Sequence, residues 1–98
     1  MTIEKIIENE KITLQINGRL DTQTAPELET ELDGLNENCK QLILEMKGVE
    51  YISSAGLRVI LKAQKFMNTK GSMKLTNVNE SVMEVFDITG FSDILTIE

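Results

Sequence analysis

The sequence has no histidine and no tryptophan, and only one cysteine, one proline and one tyrosine among its 98 residues. Each shortage removes a class of chemistry. Without histidine no side chain has an ordinary pKa near neutrality, so the usual general base and the Ser–His and Cys–His nucleophile pairs are absent. Cys39 stands alone, so it forms no internal disulfide, and without histidine beside it the usual zinc and copper ligand sets cannot be assembled. Three phenylalanines and one tyrosine cannot fill a core, which must be aliphatic. Positive charge is scarce too: ten Lys and Arg face sixteen Asp and Glu, a formal charge of −6. That balance disfavours a phosphate backbone, so no nucleic-acid partner is expected. No long apolar run occurs near the N-terminus, which reads as neither signal peptide nor membrane span; a cytoplasmic protein without a membrane partner is the expectation. Gly71 is isolated, no phosphate-binding glycine loop is present, and no cofactor, metal site or catalytic residue is expected.

What is present is periodic apolar patterning in 41% of the residues, enough for one modest core, and the chain reads as a single domain over 1–98. Ile3 to Ile7 is extended. Ile12, Leu14 and Ile16 alternate with polar neighbours, as in a half-buried strand that Gly18 ends; Asn9 and Glu10 make the turn between the two. Thr24-Ala25-Pro26-Glu27 reads as a helix start, with Thr24 capping, Glu27 completing a capping box, and Leu28, Leu32 and Leu35 following at helical spacing. Gln41 to Met46, with Leu42, Ile43 and Leu44 in succession, predicts a central strand buried on both faces. A long helix over 54–69 stops at Gly71, and Met73 to Val78 is another strand. Asn79 caps a short helix through Val82, Val85 and Phe86 that ends at Gly90, and Ile94 to Ile97 predicts a short final strand. A hairpin followed by alternating strands and helices implies an α/β fold with a mixed sheet and helices on one sheet face.

The segment Val49 to Leu61 is the most informative. It reads as a loop leaving a buried strand and entering the long helix, with Ser53 and Ser54 at the entry. One serine suffices to cap a helix; two are one more than capping needs. At about 100° per residue, Ala55, Val59, Ile60, Ala63, Phe66 and Met67 share one face, expected to pack on the sheet, while Arg58, Lys62, Lys65 and Thr69 lie opposite. Leu57 and Leu61 fall at the edge of the outward face, on the side of Ser54. They either pack against a neighbouring helix or form an exposed patch for a partner. Asp21 follows the second strand and comes near Ser54 if that strand neighbours the central one; an ordinary turn acid is the competing reading.

Leu20-Asp21 with Thr24-Ala25, the Ile52-Ser53-Ser54-Ala55-Gly56-Leu57 loop, and Val85-Phe86 through Thr89-Gly90-Phe91 together resemble the STAS domain of bacterial anti-sigma-factor antagonists. The resemblance covers nearly the whole chain. It implies a mixed sheet with helices packed largely on one face, and a partner-switching cycle. The unmodified antagonist binds an anti-sigma factor that is also a serine kinase, freeing the sigma factor; phosphorylation releases the antagonist; a serine phosphatase of the metal-dependent class restores it. By position, Ser54 matches the phosphorylated serine and Asp21 an acidic residue of the kinase-binding region. Asp21, Thr22, Ser53, Gly56, Leu57 and Leu61 are the expected partner-binding residues. Ser53 departs from the family, since many relatives have Asp immediately before the phosphorylated serine. A STAS interaction module serving a sensory assembly, an adaptor or a phosphatase is the alternative, because the fold would be the same.

Overall fold

The computed structural model describes residues 1–35 and 38–98. Strands β1 (Thr2–Glu8) and β2 (Lys11–Leu20) form an antiparallel hairpin joined by Asn9 and Glu10. Asn9 has φ 58°, a left-handed conformation that asparagine tolerates better than most residues. There follow α1 (Ala25–Asp33), β3 (Gln41–Ile52), α2 (Ser54–Lys70), β4 (Ser72–Thr76), α3 (Glu80–Thr89) and a 3₁₀ turn, Phe91–Asp93. The sheet order is β1-β2-β3-β4, with β2, β3 and β4 parallel.

Alternation along the strands sorts the two faces. Ile12, Leu42 and Met73 are neighbours across the register, as are Leu14, Leu44 and Leu75, and all six are buried. The rows that flank them, Lys11, Gln41 and Ser72 on one side and Gln15, Glu45 and Thr76 on the other, keep solvent access. All three helices cover the apolar face: Ala25 and Leu28 of α1, Ile60 and Met67 of α2, and Val82 and Phe86 of α3 join the strand residues in one core cluster. Ile43 is buried although it lies in a row of the open face, between Thr13 and Lys74. The expected burial of Leu42, Ile43 and Leu44 on a central strand therefore holds.

Strand β3 is longer than its pattern predicts, and the segment from Val49 to Ile52 is strand rather than loop. The β2–β3 register slips between Gln15 and Asn17 and again between Gly18 and Arg19, each time with the extra residue on β3. Each bulge resets the inward face, so the buried residues Met46, Val49 and Ile52 fall at intervals of three, which hides the strand period. Gly18 does not end β2. Its φ of 112° serves the bulge, and the strand continues to Leu20.

Three further expectations are corrected. Strand β4 ends at Thr76, before Val78, because Asn77 turns left-handed (φ 54°). The tail supplies one bridge, Leu75 to Ile97, instead of a strand over Ile94 to Ile97, since Phe91–Asp93 coils as a 3₁₀ turn and leaves only the last residues extended beside β4. Thr24 precedes α1 but makes no side-chain cap, its hydroxyl donating back to the Arg19 carbonyl at 2.6 Å. Asn79 does cap α3, accepting from the Val82 N–H at 2.8 Å and donating to the Val49 carbonyl at 2.7 Å, which ties α3 to β3.

Candidate functional site

Parallel strands open their following loops at the same sheet edge, and β2 and β3 do so here. Leu20 pairs with Ile52, and the Ser53 N–H donates to the Leu20 carbonyl at 2.9 Å. The loop beginning at Asp21 therefore leaves the sheet beside the two serines. One residue back, Arg19 and Tyr51 are register neighbours, and the Arg19 guanidinium lies 4.3 Å from the ring centre. Neither residue stood out in the sequence, because only the two register slips make them neighbours.

The serines divide the work. Ser53, half-buried, is the N-cap of α2: its Oγ accepts from the Gly56 N–H at 3.3 Å and its carbonyl from the Leu57 N–H at 2.9 Å. Ser54 is the first helical residue and is exposed. Gly56 is buried where α2 meets the strand ends. A β-carbon there would stand 2.7 Å from Leu20 Cγ and 3.0 Å from the Leu20 carbonyl oxygen, so glycine lets the helix start close to the sheet edge.

Asp21 holds its own loop. Its Oδ1 accepts from the Gln23 and Thr24 N–H groups, both at 3.0 Å, and its N–H donates to Thr24 Oγ1 at 2.9 Å. The Thr24 N–H, foremost, with the Gln23 N–H, the Thr24 hydroxyl and Arg19 at 3.8 Å, holds the Asp21 carboxyl below its ordinary pKa, so it is charged at neutral pH. The acid thus fixes the turn that precedes α1, while α1 itself has no side-chain cap. It also places a negative charge in the loop that leaves the sheet next to the strand end carrying Ser53, with Thr22 exposed beside it.

Helix α2 is rotated relative to the wheel expectation. Its buried arc runs through Leu57, Gln64, Ile60, Met67, Ala63 and Val59. Leu57 is only 7% exposed, so it is part of the core and forms no exposed patch; Leu61, next to it on the wheel, is half-buried. Helix α2 packs on β3 and β4 and against α1, and Leu57 lies in the core cluster these elements share. Phe66, expected on the sheet face, is 50% exposed at the opposite edge of the arc. It stands at the rim of an apolar cavity of about 190 Å³ between α1 and α2, with Lys70 Nζ 4.9 Å from its ring centre. Gln64 is carried into the buried arc; its Nε2 reaches Asn68 Oδ1 at 2.8 Å, while its Oε1 is buried without a hydrogen-bond partner among the described residues.

At the start of α2 a shallow groove separates it from α1, with Thr22 on one wall and Arg58 and Lys62 on the other. Lys62 is held by Glu29 at 3.2 Å and Asp33 at 3.7 Å. The edge therefore assembles Asp21, Thr22, Ser53 and Ser54 at the surface over Gly56 and Leu57, which are buried supports.

A small mixed sheet with its helices on one face, and a serine exposed at the entry of the helix after the central strand, defines a class of domain. Residues 2–98 match the STAS domain model. The chain belongs to the STAS domain family. It is 35% identical over 100 residues to the anti-sigma-B factor antagonist of Bacillus subtilis (strain 168), covering 99% of this chain and 92% of that protein. Its fold matches the crystal structure of an anti-sigma factor antagonist from Mycobacterium paratuberculosis with a TM-score of 0.88 at 16% identity, over 98% of this chain and 83% of that one. It also matches the phosphorylated form of the Bacillus cell-fate determinant SpoIIAA with a TM-score of 0.76 at 14% identity, over 99% and 91% of the two chains. At such identities the two structures speak to the fold alone. No helix among the described residues is long and apolar enough to cross a membrane.

Proposed function

We propose that this protein is an anti-sigma-factor antagonist. In its unmodified form it binds an anti-sigma factor serine kinase and frees a sigma factor, and phosphorylation of Ser54 releases it. A metal-dependent serine phosphatase resets the cycle, and the protein itself catalyses nothing. The observation that carries the reading is the division of labour between the serines: Ser53 is spent on the helix cap, while Ser54 offers an exposed hydroxyl on the first residue of α2. The antagonist names of its relatives supply the partner class.

The switch follows from charge. A phosphate adds about −1.5 to −2 at neutral pH. On the free domain it stays in water at the positive end of α2, which offsets roughly 0.3–1 kcal/mol of its cost. In a docked complex it must lose water beside the charged Asp21 carboxylate. A net penalty of about 2.7 kcal/mol lowers affinity about a hundredfold, enough to release the partner.

The test is titration of the kinase against unmodified and stoichiometrically phosphorylated protein, with the site located by mass spectrometry. Ser54→Ala should bind constitutively and Ser54→Asp should weaken binding in part. Phosphate on Ser53 alone would overturn the residue assignment, and unchanged affinity after full modification of Ser54 would remove the switch.

A further inference from the structure

We propose that Arg58 is the intramolecular partner of a phosphate carried on Ser54, an ion pair closed within the first turns of α2. The proposal rests on the reading of Ser54 as the modified serine. Ser54 and Arg58 are four residues apart on the same helix, and both are exposed. That spacing brings side chains to one side with β-carbons roughly 6 Å apart, and the acidic group N-terminal to the basic one is the favourable order. A guanidinium presents paired donors that match the oxygens of a phosphate, which an ammonium does not.

The other side-chain cations near the loop are committed, and so are two of the opening amides of α2. The Gly56 and Leu57 N–H groups serve Ser53. Arg19 lies on the Tyr51 ring and reaches Asp21 at 3.8 Å. Lys62 is shared by Glu29 and Asp33. Asp21 and Glu50, at the ends of the strands, are the acids that would oppose a phosphate. Among the described residues no carboxylate lies within ion-pair distance of Arg58. The cation one turn from Ser54 is thus the one without a claim on it.

The pairing has a consequence for the groove between α1 and α2, which Arg58 lines opposite Thr22. In the unmodified protein the groove presents a free guanidinium. Once Ser54 carries phosphate, the guanidinium is drawn to it, and the same surface presents net negative charge. Modification therefore removes a positive contact as well as adding a negative one.

The test uses the full chain with phosphoserine incorporated at position 54 during translation, so that it does not depend on which kinase acts. The second ionisation of the phosphate is followed by phosphorus NMR at low salt. It should fall lower with Arg58 present than in the Arg58→Ala variant, by about 0.2–0.4 of a pH unit, with Arg58→Lys between them. High salt should shrink the difference. Arg58 is exposed, so the variants should melt alike when unmodified. Superimposable titration curves for the parent and Arg58→Ala overturn the pairing. A kinase that leaves Ser54 untouched counts against the functional reading alone, and the titration decides Arg58 alone.

Discussion

A single carboxylate does two jobs at the sheet edge. Asp21 ties the amides of Gln23 and Thr24 and keeps a negative charge in the loop that leaves β2. Because its folded pKa is depressed, its stabilising effect is present above the ordinary carboxylate pKa and is lost as pH falls from about 4 through the folded value. Melting curves of the parent and Asp21→Ala should therefore differ at neutral pH and converge in acid. A gap that persists at the lowest pH would assign the effect to something other than the charge. Leu57 also changes meaning at this scale. The wheel leaves it between core and patch; at 7% exposure it is core. Leu57→Asp buries an unpaired charge and should cost several kcal/mol, of order 3–5, in denaturant unfolding. A variant that keeps its stability but loses its partner would restore the docking patch.

The element that decides the site is the junction of β3 with α2. Two bulges carry β3 on to Ile52, so that the helix starts beside Leu20 and not several residues earlier. Gly56 then allows the close approach. Gly56→Ala gains helix propensity by about 1 kcal/mol but drives a methyl into Leu20 and Ile52, an overpacking cost of roughly 1–3 kcal/mol. The expected outcome is a net loss of stability, with amide shifts in NMR spectra centred on Ser53 to Leu57. A variant more stable than the parent would show that the contact is loose. The boundaries missed in the sequence lie at such places. Bulges and the left-handed Asn77 break a period without leaving a composition signal, whereas the hairpin, the centre of β3 and the α3 cap follow local chemistry and were legible.

Across the whole molecule the charge is uneven. The chain is acidic overall, yet α2 carries Arg58, Lys62, Lys65 and Lys70 and no acid. A phosphate at the head of this helix sits on an exposed residue one turn from Arg58, and the core beneath it is untouched. The phosphorylated and unmodified proteins should therefore share a fold and melt within a few degrees of each other, since 1 kcal/mol moves the midpoint of a domain this size by about 4–8 °C. Differential scanning calorimetry with far-UV circular dichroism checks this. Loss of structure on modification would make release a consequence of unfolding rather than of surface charge.

Some properties needed only the order of residues. Strand alternation in Ile12, Leu14 and Ile16, the continuous apolar run of Leu42, Ile43 and Leu44, and the 3.6-residue spacing through α2 are set by where water must be excluded, and they determine the mixed sheet. The pair of serines at a helix start was equally plain. Which serine caps and which faces water depended on the helix beginning at Ser54, and that depended on where β3 ends. The burial of Leu57, the exposure of Phe66 and the meeting of Arg19 with Tyr51 belong to tertiary structure for the same reason. A wheel gives the relative angles of side chains on one helix, but the side that is covered is fixed by the neighbours, here the sheet together with α1.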